Sequence, residues 1–397
     1  MKKHDVVIIG GFGHVGLPLA VAFADQGARV CALDVDERAL RSIAKGEMPF
    51  IERGAEEVLR RVLENGRLVL SLDAREISSA DTVVVIIGTP VDSHLNPEFT
   101  SFLETVEGYL PHFRDGQLLV LRSTVYPGMS EKLRHWLREQ GKDIEVAFCP
   151  ERIAEGFAME ELRSLPQIVS SFSEQGVRRA TELFRLLTMD VIAIPPVEAE
   201  LAKLFSNVWR YVKFATANQF FMIANDHGAD FYRIHHAMTT NYERCRDLPK
   251  PGFAAGPCLF KDAMQLAAYN NNNFYLGHAA MLVNEGLPNY VIQAVKRNHD
   301  LSGMTVGILG MAFKADVDDK RSSLSYKLRK ILAFEARKVI CSDVHIEEEG
   351  FVNTEELLRQ ADLIVVGTPH REYRTLRFPP EKVVIDVWNL SGQGCTI

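Results

Sequence analysis

The 397-residue chain predicts an α/β fold, with two Rossmann-like parallel-sheet domains joined by a long central helix. Three observations predict it. From Asp5 to about Val169, β-branched apolar runs alternate with helical stretches. Between about Glu198 and His299 the β runs vanish, and Leu201, Leu204, Phe205, Val208 and Val212 recur at helical spacing. From Thr305 onward the β/α rhythm returns, and the two ends echo each other: Ala80-Asp81-Thr82 leads to Gly88-Thr89-Pro90, and Ala361-Asp362-Leu363 leads to Gly367-Thr368-Pro369. The expected domain boundaries are 1–197, 198–300 and 301–397.

In the first α/β region the expected strands are 6–9, 29–33, 82–87, 118–122 and 146–148. Strand 6–9 runs into Gly11-Phe12-Gly13-His14-Val15-Gly16 and then a helical stretch, 17–26. Glycines at this spacing let the backbone turn tightly and approach a pyrophosphate, while the helix N-terminus offers N–H groups to the phosphates. Strand 29–33 ends at Asp34, placed to accept hydrogen bonds from ribose hydroxyls and to repel a 2′-phosphate, so the expected cofactor is NAD rather than NADP. Arg38 either lies over the adenine or sits on an exposed helix face. Strands 82–87 and 118–122 are followed by Thr89-Pro90 and Ser123-Thr124, at the strand ends where open parallel sheets bind ligands.

In the helical region Lys203 and Asn207 are four apart and project from one face. The region is apolar on more than one face, so it is expected to bury a stripe against a second copy in a homodimer. Cys258 follows a loop of Gly, Ala and Pro and is expected to open a helix, where N–H groups favour the thiolate. In the last region the expected strands are 305–309, 338–342, 363–367 and 383–385.

Composition excludes several functions. A charge of −7 and a pI near 6.0 give no global attraction to nucleic acid. No apolar stretch approaches the roughly 20 residues of a membrane-spanning helix, and the four-residue run 6–9 is too short for a signal-peptide core. The six cysteines are spread singly, so no metal site or disulfide framework is expected and the reducing cytoplasm is the expected compartment.

Gly252-Phe253-Ala254-Ala255-Gly256-Pro257-Cys258-Leu259-Phe260-Lys261-Asp262 resembles the cysteine motif of the UDP-glucose/GDP-mannose dehydrogenase family. Four further stretches are similar to that family in order: Leu121-Arg122-Ser123-Thr124-Val125, Cys149-Pro150-Glu151-Arg152-Ile153-Ala154-Glu155-Gly156, Glu200-Leu201-Ala202-Lys203-Leu204-Phe205-Ser206-Asn207, and Phe313-Lys314 with Asp318-Asp319-Lys320-Arg321-Ser322. The resemblance implies an NAD-binding domain, a helical dimer-forming segment and a UDP-binding domain, and a UDP-sugar substrate. It implies that Val15, Glu155 and Arg321 join the cofactor site. It also implies that Gly256 and Lys314 contact the nucleotide sugar, and that Arg244 or Arg246 reaches the partner subunit's substrate site.

The implied chemistry takes a CH₂OH to a carboxylate in two oxidations. A thiolate at Cys258 holds the intermediate aldehyde as a thiohemiacetal, which a second oxidation turns into a thioester that water cleaves. Lys203 and Asn207 are the implied oxyanion donors, and Asp262, Thr124 and Glu151 the candidates for holding water and moving protons. Ala254, Ala255 and Pro257 depart from the commonest form of the motif, whereas Lys261-Asp262 leans toward UDP-glucose, with UDP-N-acetylhexosamine second. A single-step β-hydroxyacid dehydrogenase explains the glycine loop and Lys203 but has no use for Cys258, and a silent nucleotide-sugar binder has no use for the full set of reactive side chains.

Overall fold

The computed structural model describes residues 3–89, 99–253, 256 and 258–397. The chain forms two compact units, Met1–Ser206 and Asn207–Ile397.

The first unit is built on an eight-stranded sheet of order β3-β2-β1-β4-β5-β6-β7-β8. Its strands are β1 (His4–Ile9), β2 (Val30–Leu33), β3 (Leu68–Ser71), β4 (Ala80–Val85), β5 (Leu118–Leu121), β6 (Glu145–Phe148), β7 (Gln167–Ser171) and β8 (Val191–Ala193). All neighbours pair in parallel except β6 with β7. Strand β1 explains why a parallel sheet reads as an unbroken apolar run: Val6 and Ile8 enter the core on one face, Val7 and Ile9 the core on the other. Helix Gly16–Asp25 lies in the first of those cores through Leu17, Ala20 and Phe23.

Three of these strands were not legible in the sequence. β3 and β8 lie at the two edges of the sheet, and β7 runs antiparallel to β6. β3 and β8 are short with partly exposed faces and carry little periodicity, while β7 is buried but has polar Gln167, Ser170 and Ser171 among its five residues, so it does not read as an apolar run. β4 also ends earlier than expected, because the Ile87 amide turns away to the Ser123 hydroxyl at 2.9 Å.

The second unit holds a four-stranded parallel sheet of order β10-β9-β11-β12, made of β9 (Thr305–Leu309), β10 (Lys338–Ser342), β11 (Leu363–Val366) and β12 (Val383–Ile385). One face of it, Val306, Ile308, Leu363 and Val365, shares a core with Phe221, Phe231, Leu287 and Val291 of the helical region. The central helix, Pro196–Asp226, runs 31 residues, about 46 Å at the α-helical rise. None of the described helices is long and apolar enough to cross a membrane.

Candidate active site

In the first unit the glycine loop is cut to two different specifications. Gly10 has φ +78, and a Cβ there would meet the Ile86 carbonyl at 1.9 Å; at Gly16 it would meet the Gly10 carbonyl at 2.0 Å, and at Gly11 it would meet Ala32 at 2.8 Å. These three are demanded by the fold. Gly13 is not: the nearest atom to its Cβ would be 3.8 Å away. A glycine that no internal contact requires leaves open backbone for a ligand to approach, which is the fit expected for a pyrophosphate. Val15 precedes the helix that starts at Gly16, and His14 stacks on Phe50 at 4.2 Å.

Asp34 sits half-buried beside this loop, its Oδ2 accepting from the Phe12 N–H at 3.0 Å and its Oδ1 from the Val35 N–H at 2.7 Å. Arg38 is exposed in the first turn of helix Glu37–Ile43, its N–H donating to the capping Asp36. Pro90, expected beside Thr89, lies outside the described residues. Thr89 itself donates from Oγ1 to the Thr124 carbonyl at 2.7 Å, and the Ser123 hydroxyl donates to the Ile87 carbonyl at 2.8 Å. The chain leaving β4 is thereby stitched to the chain leaving β5.

Glu151 differs from what its motif suggested. Its Oε2 accepts from the Arg122 Nε at 3.0 Å and from the same guanidinium's Nη2, while Oε1 accepts from the N–H groups of Arg152 at 2.7 Å and Ile153 at 3.1 Å. Arg122 is fully buried, and it also donates to the Cys149 carbonyl and to Gln167. A carboxylate with four donors on it holds the 149–156 loop in shape. Glu155, the other acid of that loop, is half-buried in the same unit.

Lys203 is 9% exposed on the central helix. The helix is anchored one turn earlier by Glu200, whose carboxylate takes the Gly128 N–H at 2.6 Å and the Ser130 N–H and hydroxyl at 2.8 and 2.6 Å. Those donors sit at the N-terminus of helix Met129–Glu139, where a negative charge is favoured.

In the second unit Cys258 caps helix Leu259–Tyr269 and is exposed, as the loop composition suggested. Asp262 lies one turn on and is fully buried; its N–H bonds back to the Cys258 carbonyl at 2.9 Å. Asn207, on the central helix, donates from Nδ2 to Asp262 Oδ2 at 2.6 Å, while Asp262 Oδ1 accepts no hydrogen bond among the described residues and lies 3.8 Å from the Lys261 Nζ. The cysteine loop is packed from both ends: a Cβ on Gly252 would strike the Trp388 ring at 2.2 Å, and one on Gly256, at φ +116, the Phe313 ring at 2.6 Å. Ala254, Ala255 and Pro257 lie outside the described residues.

Lys314 is half-buried next to Phe313 in the segment after β9. Arg321 is held on Asp319 at 2.6–3.0 Å. Of the two candidate arginines before the cysteine, Arg246 pairs with Glu243 at 3.0 Å, whereas Arg244 is exposed and makes no ion pair among the described residues. Arg122, Glu200, Gly10 and Gly252 are positioning residues that the sequence reading did not single out. Arg122, Glu200 and Gly252 stood inside quoted motifs, but only the fold reveals what they hold.

Residues 4–188 match the NAD binding domain of the UDP-glucose/GDP-mannose dehydrogenase family, residues 197–286 its central domain and residues 307–393 its UDP binding domain. The chain is 26% identical over 411 residues to the UDP-N-acetyl-D-mannosamine dehydrogenase of Yersinia pestis, covering 96% of each protein. It is similar in structure to the UDP-D-ManNAc dehydrogenase of Pyrococcus horikoshii, with a TM-score of 0.90 at 26% identity over 97% of this chain and 96% of that one. A UDP-glucose dehydrogenase from Pyrobaculum islandicum gives a TM-score of 0.86 at 27% identity over 96% and 94%.

Proposed function

Because the chain belongs to the UDP-glucose/GDP-mannose dehydrogenase family, we propose that it is an NAD-dependent UDP-N-acetylhexosamine 6-dehydrogenase that oxidises the C6 hydroxymethyl to a carboxylate through Cys258. The coarser part, a nucleotide-sugar dehydrogenase with NAD-binding and UDP-binding domains, follows from the family itself. The sequence leaned toward UDP-glucose on Lys261-Asp262. The named relatives weigh toward the N-acetylhexosamine. A physical reason supports the change: Asp262 points inward to Asn207, so the pair reports on the chemistry at C6 and says little about the substituent at C2.

The observation that carries the mechanism is the buried Asn207–Asp262 pair one turn behind an exposed cysteine at a helix N-cap. NAD, when bound, would supply the hydride acceptor for each of the two oxidations at the sugar carbon. Between the two, the Cys258 thiolate adds to the C6 aldehyde, forming a C–S bond and an oxyanion that Lys203 and Asn207 stabilise by donation. Loss of the second hydride leaves the thioester. Water then attacks its carbonyl, the C–S bond breaks, and the Cys258 thiolate leaves. Asp262 Oδ1, which accepts no hydrogen bond among the described residues and has only the Lys261 ammonium near it at 3.8 Å, is positioned to take the proton from that water. Glu151 takes a supporting role, because both its oxygens are occupied by Arg122 and backbone N–H groups. In the first unit Asp34 holds the adenosine ribose and Gly11, Gly13 and Gly16 admit the pyrophosphate. Thr124 and Glu155 border the nicotinamide end, and Lys314 and Gly256 hold the nucleotide sugar.

The working assembly in this proposal is a homodimer. Phe205, Trp209, Phe220 and Ile223 of the central helix are 40–59% exposed at spacings that put them on one face, an apolar stripe suited to a second copy, with Arg244 reaching the partner's site. Assays of UDP-N-acetylmannosamine, UDP-N-acetylglucosamine, UDP-glucose and GDP-mannose with NAD, counting NADH and weighing the particle in solution, test these statements. Two NADH per acetamido sugar from a dimer is the expected result. One NADH per sugar would overturn the thioester route, and an active monomer would remove Arg244 from the site.

A further inference from the structure

A cavity of about 700 Å³ lies within the second unit, lined by Tyr211, Gly256 and Phe260 together with Lys320, Lys327 and Lys330. Gly256 and Phe260 flank Cys258 two residues away on either side, so the cavity adjoins the reacting end of the sugar; its lysines, of which Lys320 pairs with Glu348 at 2.8 Å and Lys327 with Glu285 at 3.0 Å, supply cations suited to a diphosphate. Tyr211 follows Asn207 by one helical turn and therefore shares its face. Tyr211 is 1% exposed, and among the described residues its hydroxyl makes no hydrogen bond of good geometry, the Asn284 side chain being its polar neighbour; a buried phenol so placed is short of a strong partner.

The ring is held rigidly. Asn284 Nδ2 donates to the Tyr211 carbonyl at 3.1 Å, Asn218 Nδ2 donates to Asn284 Oδ1 at 2.9 Å, and Asn218 Oδ1 accepts from the Gly252 N–H at 2.9 Å. This chain of buried amides ties Tyr211 to the start of the cysteine loop. Burial, with the Glu285 carboxylate adding to it and the Asn284 side chain only partly opposing it, pushes the phenol well above its usual pKa, so the group is a proton donor throughout the physiological range.

We propose that Tyr211 is a specificity residue whose phenol donates a hydrogen bond to the carbonyl oxygen of a 2-acetamido group on the sugar. This rests on the acetamido-sugar reading above. A C2 hydroxyl ends one bond from the ring, while the acetamido carbonyl oxygen reaches two bonds further, and Phe260 and Leu324 offer apolar wall for its methyl. A buried donor built for a carbonyl discriminates strongly against a substrate that leaves it unbonded.

The test compares wild type and Tyr211→Phe, which keeps the ring, on UDP-N-acetylmannosamine, UDP-glucose and a UDP-2-amino sugar lacking the acetyl carbonyl. The expected result is a roughly ten- to hundredfold loss of kcat/KM on the acetamido sugar, carried by KM, with UDP-glucose and the amino sugar changed less than about twofold. Equal losses on all three substrates would mark Tyr211 as packing alone and overturn the proposal, as would an unchanged preference. Wild type that oxidises only UDP-glucose would overturn the acetamido reading first and this inference with it; wild type active on the acetamido sugar isolates the inference.

Discussion

The two Rossmann-like sheets carry the same carboxylate at the same place and use it in opposite ways. Asp34 follows β2 and Asp343 follows β10, each the strand beside the one that leads into a glycine turn. Asp34 takes one N–H of its glycine loop, from Phe12, and is half-buried with carboxylate surface left for a ligand. The side chain of Asp343 is fully buried: Oδ2 takes the N–H groups of Met311 and Ala312 at 2.5 and 3.0 Å, Oδ1 takes those of His345 and Ile346, and His370 Nε2 closes over it at 3.2 Å. The first loop enters its helix at Gly16, while the second runs from Gly310 to the Ser323 cap before its helix begins. Dinucleotide binding thus depends less on the β-α-β scaffold than on whether the carboxylate and the loop N–H groups are left for a ligand or consumed internally.

The strongest way to test this separation is to disable the chemistry of the second unit and ask whether the first still works. Cys258→Ser should lose overall turnover by roughly three orders of magnitude, about 4 kcal/mol of barrier, while NAD and nucleotide sugar still bind. Intact-mass spectrometry with NADH counting should find at most one hydride released or a slowly hydrolysed ester. Normal release of two NADH would remove covalent catalysis at residue 258.

A smaller effect separates the glycines. Gly13→Ala should weaken NAD binding by about 1–3 kcal/mol, roughly ten- to hundredfold, and leave the melting temperature unchanged, because the added Cβ meets nothing closer than 3.8 Å. Gly310→Ala should do the reverse, since its φ is +94 and its Cβ would meet the Thr368 carbonyl at 2.6 Å. NAD titrations and thermal melts of the two variants side by side check both, and a cofactor defect in Gly310→Ala would break the comparison.

The carboxylates themselves give the next step down. Asp34→Asn should reduce the preference for NAD over NADP by roughly tenfold, through lost like-charge repulsion and a weakened ribose contact. Kinetics with both cofactors measure it; an unchanged ratio would mean that Asp34 does not face the ribose.

The smallest expected effect is on acid stability. Burial opposes ionisation of Asp343, but His370 and the loop N–H groups outweigh it and hold the carboxyl below its ordinary value. A carboxyl whose folded pKa is depressed adds stability that is present above its unfolded value, about 3.9, and is lost as pH falls toward the folded one. Urea unfolding of wild type should therefore weaken between about pH 5 and pH 3, and Asp343→Asn should flatten that slope.

What the sequence alone determined is whatever depends on local order along the chain. Apolar runs in β1, β9 and β10 announce strands because both faces are buried, the glycine loop announces a tight strand-to-helix turn, and Cys258 after its small-residue loop announces a helix N-cap. Asp34 was legible as the acid that follows the second strand beside the glycine loop for the same reason: it ends a strand at a fixed distance from the glycines. Only the tertiary structure decided which polar groups were already spent. Whether Glu151 is an available base depends on Arg122, 29 residues away; whether Asp262 is held depends on Asn207, 55 away; and whether Asp343 can meet a ligand depends on His370, 27 away. Those pairings follow from the order in which strands and helices are laid side by side. A carboxylate's chemistry is set by the donors and the burial that surround it, and a linear pattern carries neither.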